Sequence, residues 1–304
     1  MKTKEKSLFI LCFLTVFGLC PSGGRLSTGP ENICPLARTI RLTATPEDEF
    51  YPSFSPDGKR ITFERAGHIW IMDADGKNQQ QLTFSDYAEG FPRFSPDGKL
   101  IAYHSNSASL GINWDIWIMD KDGELTKQIT RDKGNDEFAN WAPGGKNLAF
   151  HYRRSSFGHE IYLVNIETLE WLQITDGKQN DEFPFFSPDG KNIILSSAKS
   201  DQEEKTEMNL FTVAAGSQNR KQLTYGKYAD WFPAWSPDGK KITFQSNRSG
   251  NNDIWLLDLA NGELFQITTD TSDELHPFWS PDSKSILYVS NRTGEYDIYL
   301  DVLK

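Results

Sequence analysis

Residues 232–242 read Phe-Pro-Ala-Trp-Ser-Pro-Asp-Gly-Lys-Lys-Ile, and the pentapeptide at their centre, Ser236 to Lys240, decides the fold. Its chemistry is that of a tight turn: Pro fixes φ, Asp bonds the local backbone, and Gly supplies φ > 0. An aromatic precedes it at Trp235 and an apolar residue follows at Ile242, so the segment reads as strand, turn, strand. The same pentapeptide recurs at Ser55 to Lys59, Ser95 to Lys99 and Ser187 to Lys191, with degraded copies at Ala142 to Lys146 and Ser280 to Lys284. Six copies about 40 to 49 residues apart have the period of four-stranded propeller blades. The Gly-Lys pairs lack the Walker spacing and a following Ser or Thr, which makes the pentapeptide scaffold rather than a phosphate cradle.

A third strand is expected to begin at Ile69, Ile116, Ile161, Leu210, Ile254 and Ile298. A fourth ends in Gln-Leu-Thr or Gln-Ile-Thr at Gln81 to Thr83, Gln128 to Thr130, Gln173 to Thr175, Gln222 to Thr224 and Gln266 to Thr268. The sixth unit has no such segment, but Ile40-Arg41-Leu42-Thr43 ahead of the first unit has its pattern. The sequence therefore predicts an all-β, six-bladed propeller over residues 36–304, closed by its own N-terminal strand, because an open sixth blade would leave an unpaired sheet edge.

These repeats resemble the TolB-type propeller repeat, which is related to WD-repeat blades, from about Leu36 to Lys304. The resemblance implies a periplasmic propeller that docks protein partners on one face and at its channel. TolB proteins carry an additional N-terminal α/β domain, for which this chain is expected to have no room, so a role in a Tol–Pal system does not follow from the repeats.

Lys2, Lys4 and Lys6 precede an apolar run from Leu8 to Leu19, the layout of a secretory signal peptide over residues 1–24. A run of about twelve residues is too short to span a bilayer, so the mature chain is expected to have no transmembrane segment. Lipoprotein anchoring through Cys20 is disfavoured because Phe17, Gly18 and Leu19 depart from a lipobox. Residues 25–35 read as a pre-domain tail, with Cys34 a spare thiol in it. A formal charge of −10 argues against nucleic-acid partners, which need a basic surface.

Loops entering the first strands, and those between second and third strands, share one face and vary in length; the short uniform turns share the other. Binding is expected on the variable face. Glu49, Glu89, Asp136, Asp181, Asp230 and Glu274 stand at matching positions on the first strands and are expected to ring the channel mouth there. Neighbours roughly 10 Å apart would repel by about 0.4 to 1.7 kcal/mol, so counter-charge is required. It could come from Arg65, Arg153, Arg248 and Arg292, from a divalent cation such as Ca²⁺ held at Asp136, Asp181 and Asp230, or from a partner's cationic side chain.

Two residues on from each acid stand Tyr51, Phe91, Phe138, Phe183 and Phe232, with His276 in the sixth unit. Trp114 and Trp231 fall on the variable face by pattern and would serve a protein interface. Longer second-to-third loops, 106–114 and 200–208, mark the same face. His104 and His151 occupy matching positions and, with His68 and His159, leave a metal site conceivable. No Gly-x-Ser-x-Gly or His-Glu-x-x-His motif occurs. The reading is a monomeric, non-enzymatic propeller that binds a protein or peptide in the cell envelope. The alternatives are a carbohydrate-active propeller resembling oligogalacturonate lyases and a detached regulatory propeller resembling that of prolyl oligopeptidases.

Overall fold

The computed structural model describes residues 32–109, 111–124, 126–153, 158–199, 207–216 and 219–304. The signal segment, Cys20 and most of the 200–208 loop lie outside the described residues. The described chain forms six four-stranded antiparallel sheets. In blade 1 the strands run in chain order: Glu49–Phe54, Arg60–Arg65, His68–Asp73 and Gln80–Gln81. Blades 2 to 5 repeat this order, and blade 6 places Glu274–Trp279 innermost, then Ser285–Ser290 and Asp297–Leu303. Its outermost strand is the N-terminal Leu36–Arg41, in register with Thr39 opposite Asp301 and Arg41 opposite Tyr299. First strands of neighbouring blades touch around the whole ring, that of blade 1 meeting those of blades 2 and 6.

The repeated motifs acquire definite jobs. In each Gln-x-Thr segment the Thr Oγ1 accepts the N–H of the residue that opens the hydrophobic part of the third strand. The pairs are Thr83 with Ile69, Thr130 with Ile116, Thr175 with Ile161, Thr224 with Leu210 and Thr268 with Ile254, at 2.8–3.0 Å. In blade 6 the acceptor is Thr43, from the other end of the chain, 2.8 Å from the Ile298 nitrogen. Closure thus reproduces the side-chain bond of the other blades as well as their ladder.

Within the pentapeptide, Ser55 Oγ donates to Asp57 Oδ1 at 2.6 Å and accepts the Arg60 N–H at 3.0 Å, while Gly58 has φ of 70°. A Cβ built on Gly98 would lie 3.6 Å from Pro56, and one on Gly58 3.7 Å from Pro281, so the proline of one turn packs on the glycine position of the next blade's turn. In blade 6 Ser283 takes the glycine's place at φ 61°.

The core lies between blades. Ala102, Ile116 and Ile118 of blade 2, for example, pack on Trp141, Leu148 and Phe150 of blade 3. Cys34, expected as a spare thiol in a pre-domain tail, forms no disulfide among the described residues but is packed against the propeller. Its N–H donates to the Gln266 carbonyl on the outer strand of blade 5, and its side chain is buried with Phe265, Ile267 and Tyr299.

Candidate functional site

Every first strand carries a register shift at its middle, between Phe50 and Ser53 in blade 1 and between Leu275 and Phe278 in blade 6. The residue inside each bulge, Tyr51, Phe91, Phe138, Phe183, Phe232 and His276, has φ between 49° and 58°. This left-handed conformation is costly for an aromatic residue, and a bulge re-aims the side chain it carries. Here it aims six rings at the axis, where they touch. Tyr51 lies 5.4 Å from Phe91 and 4.1 Å from His276, and Phe183 lies 3.9 Å from Phe232, centroid to centroid. The channel is stoppered by this plug. His276 is its sixth member: its N–H donates to Gln245 Oε1 at 3.1 Å, and burial, with Arg93 adding, holds its imidazole well below its usual pKa and therefore neutral.

The six acids sit at the head of the same strands, but they do not form a solvated ring at the mouth. All six are buried, Glu49, Asp136, Asp181 and Glu274 at 0 % exposure. Arg65 holds Glu49 at 2.7 Å, Arg248 holds Asp230 at 2.6 Å and Arg292 holds Glu274 at 3.3 Å, as the sequence allowed. The fourth arginine differs. Arg153 is exposed, and Asp181 is held bidentately by Arg220, from the fourth strand, at 2.9 and 3.0 Å. Glu89 faces His68 Nδ1 at 3.5 Å. Burial, with Asp132 and Asp115 adding and the Thr130 hydroxyl opposing, pushes the Asp136 carboxyl up to about 8. Burial likewise pushes Glu274 up to about 7 and Asp115 up to about 6. With Asp181 and Asp230 engaged by arginine, the three carboxylates expected to share a cation do not converge. Among the described residues no group of three or more His, Cys, Asp or Glu side chains is placed to hold a metal ion.

The histidines divide. His68 stays with Glu89, while His104 and His151 flank the Phe138 ring at 5.2 and 4.9 Å. His151 stacks on His159 at 4.5 Å, and His159 is hydrogen-bonded to Glu182. Burial holds His104 down to about 4. Gly90 lies beneath this group: a Cβ there would meet Glu64 Oε2 at 2.5 Å and His104 Nε2 at 2.8 Å, so a larger residue would have to displace those side chains. Trp114 is half-buried, with its ring 4.8 Å from His104, and half-buried Trp231 donates its indole N–H to Met208 Sδ.

Four of the large apolar side chains exposed among the described residues stand on loops of the variable face. They are Phe84 at 77 %, Ile112 at 86 %, Tyr225 at 70 % and Tyr228 at 42 %. The sequence reading missed them because an isolated apolar loop residue carries no pattern.

The sequence model of the TolB beta propeller domain family matches residues 64–204 and 200–303. No curated protein matches the chain in sequence. Among solved structures, the chain is similar to a "putative TolB" from Agrobacterium tumefaciens, with 22% identity, a TM-score of 0.68, and coverage of 86% of this chain and 93% of that one. It is similar to TolB from Acinetobacter baumannii at 24% identity and a TM-score of 0.63, covering 84% of this chain and 63% of that one. An oligogalacturonate lyase in complex with manganese shares the fold at 15% identity and a TM-score of 0.60, with 86% of this chain and 79% of that one covered.

Proposed function

The chain belongs to the TolB beta-propeller domain family, and from that premise we propose that it is an exported, non-enzymatic binding propeller whose variable face docks a protein or peptide partner in the cell envelope. The observation that carries this reading is the asymmetry between the faces. The pentapeptide turns spend their side chains on one another, whereas the loops of the opposite face present Phe84, Ile112, Tyr225 and Tyr228 to solvent. Aromatic side chains are enriched at protein interfaces, and Tyr is among those that contribute most of the binding energy. The half-buried Trp114 and Trp231 are assigned to the same docking surface in this reading.

The buried acids take a supporting part in this reading. Each carboxylate held by arginine fixes the base of a loop, as Arg248 and Ser246 do for Asp230. A substitution at Asp230 would therefore report on folding and not on docking. The informative variant is Phe84→Ser with Ile112→Ser and Tyr225→Ser, which touches exposed side chains only. It should keep the wild-type melting curve and lose the partner that wild type captures from its own envelope. Retention of that partner by the folded triple variant would remove the docking face from this surface. Turnover of a uronate oligomer with Mn²⁺ by the wild-type protein would replace the binding reading with a lyase one.

A further inference from the structure

The channel holds a second feature, on the side of the plug away from the variable face, and it does not depend on the docking reading. Two residues beyond each plug ring, the first strands place Ser53, Arg93, Asn140, Phe185, Ala234 and Phe278. Arg93 alone among these is charged. It is 7% exposed, and its guanidinium lies 3.7 Å over the Phe91 ring and 5.2 Å over that of Phe278. One terminal nitrogen donates to the carbonyls of Tyr51 and Pro92 at 3.0 and 2.8 Å. The Nε has no acceptor, and no carboxylate pairs with Arg93 among the described residues. Arg65, Arg220, Arg248 and Arg292 each have an acid.

A buried charge without a counter-ion is costly, and ring faces return only part of that cost. An unmade hydrogen bond adds to it. Burial accordingly draws the Arg93 pKa down to about 9, which still leaves it charged at neutral pH.

Space for one oxygen of a counter-ion is present beside it. Arg93 lines a cavity of about 20 Å³ together with Asn140, His276, Phe185 and Phe278, enough for one water-sized group. Phe185 and Phe278 also line a hollow of about 180 Å³ with Trp141, Trp235 and Trp279, and its rim prolines Pro143, Pro188 and Pro237 are exposed on the turn face. A cavity of roughly 150 Å³ lined by apolar side chains accepts a benzene ring. The walls exclude a polyanion, and the single guanidinium selects one negative charge.

We propose that the turn-face end of the channel binds a small organic carboxylate with one flat apolar ring, the ring among Trp141, Trp235 and Trp279 and the carboxylate on Arg93. The site is chemically separate from the variable face.

Phenylacetate is the probe, with phenylacetamide as its uncharged counterpart, titrated into the full mature chain by calorimetry and by tryptophan fluorescence. Wild type should bind phenylacetate saturably at one site and phenylacetamide about tenfold more weakly or worse, the factor expected for losing a charge-assisted hydrogen bond. Arg93→Gln should abolish the difference between the two, and Arg93→Lys should retain part of it. If Arg93→Gln does not fold, the acid-to-amide ratio on wild type decides alone. Equal affinity for both probes, binding of neither, or undiminished phenylacetate binding by folded Arg93→Gln would overturn the proposal.

Discussion

Replacing Asp136 by Asn removes a titrating group from a position where both carboxylate oxygens are buried and no arginine or lysine among the described residues pairs with them. Burial raises its folded pKa to about 8, against roughly 3.9 for an unfolded aspartate. Between those values the folded protein holds a proton that the unfolded chain releases, so stability falls as pH rises. The contribution is fully present below about pH 3.9 and is lost by about pH 8. At about 1.4 kcal/mol per pKa unit, the loss by pH 7 is on the order of 4 kcal/mol. Asn stays neutral throughout but leaves its own amide poorly satisfied at a cost of about 1–3 kcal/mol, so against a loss of about 5 kcal/mol near pH 8 the net gain there is about 2–4 kcal/mol. Asp115, pushed up to about 6, and Glu64 and Glu274, both pushed up to about 7 by burial, slope the same way in wild type and variant alike. Urea unfolding at pH 5, 7 and 8.5 should therefore show a steep decline for wild type and a shallower one for Asp136→Asn, with the variant more stable at pH 8.5. Parallel slopes, or a less stable variant at pH 8.5, would refute the assignment of Asp136 as a buried neutral acid.

Thr43→Val removes the acceptor of the buried Ile298 N–H and a partner of Glu49, and should cost about 1–3 kcal/mol in thermal unfolding while raising amide exchange along Asp297–Leu303. Ser283→Gly relieves a left-handed residue at φ 61° and should stabilise by about 1 kcal/mol; an unchanged or lower melting temperature would count against it. Arg248→Leu strands Asp230, whose side chain is 1% exposed, and should cost about 3–5 kcal/mol, much of it recovered on adding Asp230→Asn.

The six-bladed ring and its closure were legible because both rest on local chemistry repeated six times. The Ser-Pro-Asp-Gly-Lys turn, the Gln-x-Thr ending and the orphan copy of that ending at Ile40 to Thr43 each appear in the chain order that the sheets require. The aromatic plug was half legible: the residue types stood in register, but the bulge and left-handed φ that aim them inward depend on pairing with the second strand. The acids were located on the right strands and three of their arginine partners were named, but their complete burial was not legible, since sequence position does not say which side of a mouth is dry. Arg220 escaped notice because it reaches Asp181 from the fourth strand, 39 residues on, while the arginines sought lay near second strands. Arg93 carries no signal in the sequence, because its setting is made by the plug rings and the neighbouring blades.

The docking claim is tested most directly by site-specific photo-crosslinking in the native envelope, with the crosslinker placed in turn at Phe84, Ile112 and Tyr225 on the variable face and at Lys59, Lys146 and Lys240 on the turn face. The account expects one discrete adduct from the first three positions and none from the second three. The same adduct formed from the turn-face lysines, with none from Phe84, Ile112 or Tyr225, would contradict it.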